Sequence, residues 1–183
     1  MDENPNSNEQ AVWYAIRVTY NREMKVKCEL DVLGIRNFVP MQYKAQERNG
    51  RLVKRLVPSV HNLIFIYIEP SRMRQYKSTT ALPIRYIMRR EPDGRRKPII
   101  VPQQQMDSFI AVAGTYDEQL IYLNPDPGDF NQGDRVRILG GPFEGAEGVF
   151  VRVKGDRRVV VSIEGVVAVA TTFIHPSLLE KIE

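Results

Sequence analysis

From residue 12 onward the chain switches between stretches that are apolar at alternate positions and stretches that are apolar on a helical period. VWYAIRVTY (12–20) is rich in β-branched and aromatic residues and predicts a strand. Asn21 then caps a helical stretch, REMKVKCELDVLG, in which Met24, Cys28 and Val32 recur every four residues. Leu30 and Leu33 widen that stripe, and Gly34 closes the helix. NFVPMQYKAQ and RLVKRLV flank Asn49-Gly50, the strongest short signal for a tight hairpin, and Pro40 puts the first arm at an edge or a bulge. HNLIFIYI (61–68) is apolar from residue 63 on, and EPSRMRQYKSTT predicts a second helix with Pro70 in its first turn. IRYIMRR reads as a short strand and EPDGRRKP as a turn. PIIVPQQQMDSFIAVAG gives a short strand and a helix opened at Pro102, with Met106, Phe109, Ile110 and Ala113 on one face. This β-α-β-β-β-α-β-α order is that of an α+β domain, an antiparallel sheet flanked by helices.

YDEQLIYLNPDPGDFNQ (116–132) has no period and clusters Asn, Pro, Asp and Gly, as a linker does. From Gly133 the pattern is all-β: RVRIL, GVFVRV, RVVVSI and VVAVATTF, joined by Gly- and Asp-containing turns, describe a small barrel. The expected division is a disordered lead over 1–10, an α+β domain over 11–115, a linker over 116–132 and an all-β domain over 133–183. The glycines of GDRVRILGGPFEGAEGVFVRV read as barrel turns. A phosphate loop would carry a Gly-Lys-Ser/Thr run opening a helix, which is missing here.

Charge changes the picture in one half only. Residues 11–68 carry a net +6 and residues 70–97 a net +7, whereas 98–132 hold no Lys or Arg. Such a basic half suits a phosphate backbone, and a solvated surface fits it equally well. No run of about 18 apolar residues suggests a membrane span. The acidic opening MDENPNSNEQ lacks the character of a signal peptide, and a single Cys28 fits a reducing cytoplasm. His61 and His175 stand alone, Cys28 falls on the apolar side of its helix, and Asp126 and Asp129 sit in turn-forming sequence. No metal-ligand spacing, nucleophile elbow or paired carboxylates appear, so neither an enzyme nor a cofactor is expected.

The strand LIFIYI poses the sharpest question. Ile64, Ile66 and Ile68 share one side, so Leu63, Phe65 and Tyr67 face the other. Either helices cover both sides or one side is a docking groove. Trp13 and Tyr14 point to opposite faces of the first strand, and parity alone does not say which joins Phe65.

Gly133-Asp-x-Val136-x-Ile138, Gly141-Pro142-Phe143 and Gly148-Val149 resemble the KOW motif at the carboxyl end of NusG-type transcription factors. Trp13-Tyr14, Pro58 ahead of Asn62-Leu-Ile-Phe-Ile66, and Pro98-Ile-Ile-Val-Pro102 are similar to the NusG amino-terminal domain. The two matches come in family order from residue 12 to 183. The Asn62-x-x-Phe65 form and the length lean towards specialised, RfaH-like paralogues, antiterminators of bacterial surface-polysaccharide operons.

The resemblance implies an α+β amino-terminal domain followed by an SH3-like KOW barrel. It also implies docking on the β′ clamp helices of RNA polymerase through Trp13, Tyr14, Leu63, Phe65 and Tyr67, with increased processivity and no bond chemistry. Arg72 and Arg74 match a segment that contacts the polymerase β subunit and nearby DNA. Arg74-Gln75-Tyr76 stands there in place of a His-Thr-Thr run. Arg22, Lys25 and Lys27 would join Arg72 and Arg74 on non-template DNA. The hairpin cations Arg48, Arg51, Lys54 and Arg55 would meet upstream DNA. Phe143 and Ile163 match the KOW surface that binds a small-subunit ribosomal protein or the termination factor Rho. Ala146, Glu164 and Val166 replace aromatic and basic anchors there, so Rho binding is expected to be weakened or absent. RVVVSIEGVVAVATTF is β-branched enough for a permanent barrel. The competing expectation is an RNA- or ribosome-binding KOW protein acting in translation, which would bind RNA tightly without polymerase.

Overall fold

The computed structural model describes residues 9–123 and 133–183, so most of the expected lead, and the linker residues Asp126 and Asp129, lie outside the described residues. Along the chain run β1 (Val12–Val18), α1 (Glu23–Val32), β2 (Asn37–Phe38), β3 (Met41–Arg48), β4 (Arg51–Pro58), β5 (Leu63–Ile68) and α2 (Pro70–Thr79). There follow β6 (Ile84–Tyr86), β7 (Met88–Arg90), β8 (Arg96–Pro98), β9 (Ile100–Val101), α3 (Gln103–Ala113) and β10 (Ile121–Leu123). The rest is β11 (Asp134–Ile138), β12 (Glu147–Val153), β13 (Asp156–Ile163), β14 (Val167–Ala170), a single 3-10 turn at Pro176–Leu178 and β15 (Leu179–Lys181). The chain divides into two units, Met1–Val39 with Asn62–Pro102, and Pro40–His61 with Gln103–Glu183.

The first unit is an antiparallel sheet in the order β2-β5-β1-β6, with β9 also pairing β1. Its centre is the most apolar pair of strands, β1 and β5, in the register Trp13↔Tyr67, Ala15↔Phe65 and Ile16↔Ile64. Ile16, Ile64, Ile66 and Ile68 are buried, along with Val26 and Leu30 of α1 and Met73 of α2. Each such aliphatic side chain contributes roughly 1.5–3 kcal/mol when taken from water.

Helix α1 departs from the expected stripe. Met24, Cys28 and Val32 point to solvent, and the buried side is Glu23, Val26 and Leu30. The expected stripe keeps only Leu30 on the buried side, and the second, buried stripe includes the carboxylate Glu23. The second follows i, i+3, i+7 and so holds to one side of a 3.6-residue helix, whereas steps of four drift round it. Asn21 does not cap the helix either: the N-cap is Arg22, without a side-chain cap, and Asn21 takes φ +51° in the preceding turn. The expected single strand IRYIMRR is two, β6 on the main sheet and β7 in a separate hairpin with β8 inside the segment read as a turn.

The second unit holds a six-stranded antiparallel sheet in the order β10-β14-β13-β12-β11-β15. Among the described residues β10 and β15 do not pair, so the sheet is an open path where a small closed barrel was expected. Strand β10 lies in the segment read as linker: Ile121, Tyr122 and Leu123 pair with Ala170, Val169 and Ala168. A three-residue strand among Asn, Pro and Asp gives no period, because its partner lies far along the chain. Helix α3, read as the last helix of the first domain, packs on β12, β13 and β14. It buries Met106, Phe109, Val112 and Ala113, and its Ser108 Oγ accepts a hydrogen bond from Glu147 N at 3.1 Å. The hairpin β3–β4 belongs to this unit too, turned at Asn49 (φ +52°) and Gly50 (φ +74°) as its Asn-Gly signal predicts. At Gly148 a Cβ would lie 2.5 Å from Val160 O, so this position accepts no side chain where β12 meets β13.

Candidate functional site

The β1–β5 register resolves the parity question. Trp13, Ala15, Leu63, Phe65 and Tyr67 share one face, joined by Phe38 opposite Phe65. Tyr14 belongs to the other face, with Ile64, Ile66 and Ile68, and its ring lies 5.5 Å from that of Tyr86, tilted by 55°. Burial, and next the nearby Tyr86, push the Tyr14 phenol up from its ordinary value. The structure thus brings together four of the five expected docking residues and sets Tyr14 apart.

Both faces of β5 are covered: Leu63 is 3% exposed and Phe65 0%, and Trp13 is 1% exposed. Tyr67 is half-buried. Its ring lies 5.2 Å from Trp13, and the exposed Arg36 guanidinium sits 5.1 Å over Trp13 and 5.6 Å over Tyr67. Arg36 holds this place because its carbonyl accepts from Tyr67 N at 2.9 Å, continuing the β2–β5 ladder. Sequence reasoning missed it, since a lone Arg before a two-residue strand carries no local signal.

The expected nucleic-acid residues do not form one cluster. Arg22 and Lys25 occupy the start of α1, whereas Arg72 donates to Leu33 O at the other end of that helix. A helix rising 1.5 Å per residue separates these ends by about 16 Å. Lys27 is tied to Asp31 at 3.0 Å, and Asp31 is held below the usual carboxylate range by Asn37 first and Lys27 second. Arg74 faces Glu9 at 3.8 Å. The Glu9 carboxylate accepts from Ser71 N at 2.8 Å, which is the main reason its pKa is lowered.

Beside Arg22 stands a residue the sequence did not flag. Tyr20 is 79% exposed with φ +62°, followed by Asn21 at φ +51°, and the Arg22 guanidinium lies 5.6 Å over its ring. Asn62, itself at φ +64°, holds this turn: its Oδ1 accepts from Asn21 N at 3.0 Å and its carbonyl from Val18 N at 2.9 Å. Replacing Asn62 with alanine removes the side-chain acceptor and leaves a Cβ-bearing residue in a left-handed conformation. The expected loss is about 1–2 kcal/mol, read by chemical denaturation, with Asn62→Gly losing less. Equal losses for both variants would remove the conformational part of this account.

On the ribbon β3–β4 the register sorts the charges. Lys44 faces Arg55 and Arg48 faces Arg51, four cations on one side with Gln42 and Gln46. Lys54 falls on the opposite side, with Tyr43, Leu52 and Leu56, and is ion-paired with Glu118. Arg51 therefore sits where the sequence reading wants it and Lys54 does not, while Lys44 was missed because only register reveals it. Of the expected partner surface in the second unit, Phe143 is 3% exposed and Ile163 1%, and Ala146 is also buried. These are core positions in this structure. No helix of the described residues is long and apolar enough to cross a membrane.

Residues 11–110 match the family profile described as "Transcription termination factor nusG", a little over half of the chain. Among solved structures, the chain is similar to one titled "Domain interaction in Thermotoga maritima NusG". The identity is 20%, 95% of this chain and 98% of that chain are covered, and the TM-score is 0.43. No curated protein sequence matches.

Proposed function

The chain belongs to the NusG family of transcription factors, and we propose that it is an elongation and antitermination factor that docks on the β′ clamp helices of RNA polymerase. The observation that carries this reading is the β1–β5 register, which gathers Trp13, Leu63, Phe65 and Tyr67 on one face. An apolar sheet face edged by a stacked arginine suits a helical partner laid across it. Leu63 and Phe65 are buried, so docking must begin with their exposure. A binding-competent state that is only a fraction of the whole weakens the apparent affinity by that fraction.

Under this reading residues 133–183 are the KOW domain and the factor is an RfaH-like paralogue serving particular operons, such as surface-polysaccharide loci. The cationic side of β3–β4 lies along upstream DNA, and Arg22 and Lys25, beside the exposed Tyr20 ring, meet the non-template strand. Arg72 and Arg74 lie towards the β subunit. The KOW partner is a small-subunit ribosomal protein rather than Rho, and contact through Phe143 requires that side chain to emerge from its unit.

An isolated β′ clamp-helix fragment, immobilised, is expected to retain the full-length protein. Tyr67→Ala should weaken retention about tenfold, the size of a moderate aromatic hot spot. Tyr67 is half-buried, so this variant keeps its fold where deeper substitutions do not. No retention of the wild type would sink the docking reading. Tight, salt-sensitive RNA binding in its place would favour the ribosomal alternative.

A further inference from the structure

The hairpin β7–β8 has no part in any of the surfaces above, and it is the most densely cationic element of the first unit. Arg85, Arg89, Arg90, Arg95, Arg96 and Lys97 lie within it or at its root, against only Glu91 and Asp93. Both carboxylates are taken up at the tip: Glu91 pairs with Arg89 at 3.0 Å and Asp93 with Arg95 at 2.7 Å. Arg90, Arg96 and Lys97 have no ion pair among the described residues.

The register then sets like against like. Arg90 is directly opposite Arg96, on the same side as Met88 and Pro98, while Arg89 opposes Lys97 on the other side. At the root, Arg17 opposes Arg85 across β1–β6. Like charges directly across a ladder are destabilising, so these pairs lower the stability of the free protein. The hairpin is nonetheless held firmly. Ile87 N donates to Ala15 O at 3.0 Å, Ile99 N to Ile87 O at 2.8 Å, and Ala15 N to Ile99 O at 3.4 Å. The first and third bonds fasten its root to the central strand, and the second closes the hairpin there.

A rooted ribbon with two arginines directly opposite in register, and without ion pairs among the described residues, is suited to one ligand chemistry. Each guanidinium is a planar fork that grips phosphate oxygens bidentately, and two of them opposed can hold one phosphate from both sides. We propose that β7–β8 is a phosphate-binding finger in which Arg90 and Arg96 grip the phosphodiester backbone of a nucleic acid, with Lys97 adding charge. The mutual repulsion of the two arginines is relieved when the anion arrives. The finger reads no base, because phosphate contacts position a chain without carrying sequence information. It is separate from the β3–β4 ribbon and does not depend on the polymerase reading.

The test is fluorescence anisotropy of the full-length protein with labelled single-stranded DNA, duplex DNA and single-stranded RNA, without polymerase, from about 50 to about 200 mM salt. Arg90→Ala with Arg96→Ala should lower the slope of log affinity against log salt by about 1 per arginine. The melting temperature of the double variant should equal or exceed that of the wild type, since a repulsive pair has been removed. The probe whose slope falls identifies the strand the finger holds. An unchanged slope on all three probes overturns the proposal. So does a slope that falls only together with a lowered melting temperature, which would make the arginines structural.

Discussion

Replacing Phe65 with alanine is expected to destabilise the first unit by about 3–5 kcal/mol, the range for emptying a fully buried aromatic site. Phe65 is 0% exposed, opposite Ala15 on one side of its strand and Phe38 on the other. Neither neighbour can refill the space: alanine is too small, and Phe38 is fixed by its own ladder position. Trp13 is the protein's single tryptophan and lies on the same face, so its fluorescence follows this unit directly. The denaturation midpoint seen by Trp13 should fall steeply. A shift equivalent to less than about 1 kcal/mol would mean the site collapses freely or was never tightly packed. Lost polymerase binding in this variant says little alone, which is why Tyr67→Ala is the functional probe.

The second large effect concerns Gly148, where alanine should destabilise the six-stranded sheet by at least about 1–3 kcal/mol. The new Cβ would meet Val160 O at 2.5 Å and Val159 Cγ1 at 2.8 Å. The carbonyl belongs to the backbone of the paired strand and cannot swing aside, so β12 and β13 must part. Far-UV circular dichroism during thermal unfolding should register the loss. Stability within about 0.5 kcal/mol of wild type, the usual scatter of surface changes, would refute the close-approach argument. By contrast Gly141 has open space around a Cβ and matters only for its φ of +84°.

Only the first effect was partly legible in the sequence. Apolarity at every position of LIFIYI called for cover on both faces and left open whether helices or a partner supply it. The glycine-dense stretch reads as turns and gave no sign of the close approach at Gly148. Register was not legible, and register decides which residues act together. It put Trp13 rather than Tyr14 beside Phe65, set Lys44 with Arg48 and Arg51, and turned Lys54 away. The misread stripe of α1 has a similar origin. Met24, Cys28 and Val32 are as apolar as Val26 and Leu30, and packing against the sheet chose between them. Arg36 had no signal at all, since its role comes from an aromatic pair assembled by two other strands. Strand β10 needed a partner some fifty residues away. Phe143 and Ile163 were identified as a surface by likeness, and local composition could not say they would be inside.

The β3–β4 ribbon has one more consequence. Apart from its root, its residues lie open to water on both sides, and Leu52 is 79% exposed. Its cross-strand bonds and the exposed Lys54–Glu118 ion pair hold it, against two opposed cation pairs, Lys44–Arg55 and Arg48–Arg51. A two-stranded ribbon without a covered face is marginal, so its amides should exchange among the fastest of any strand in the molecule. Added salt screens the repulsion and slows that exchange, yet the same salt loosens any hold on phosphate. In this arm, stiffness and grip move in opposite directions with ionic strength.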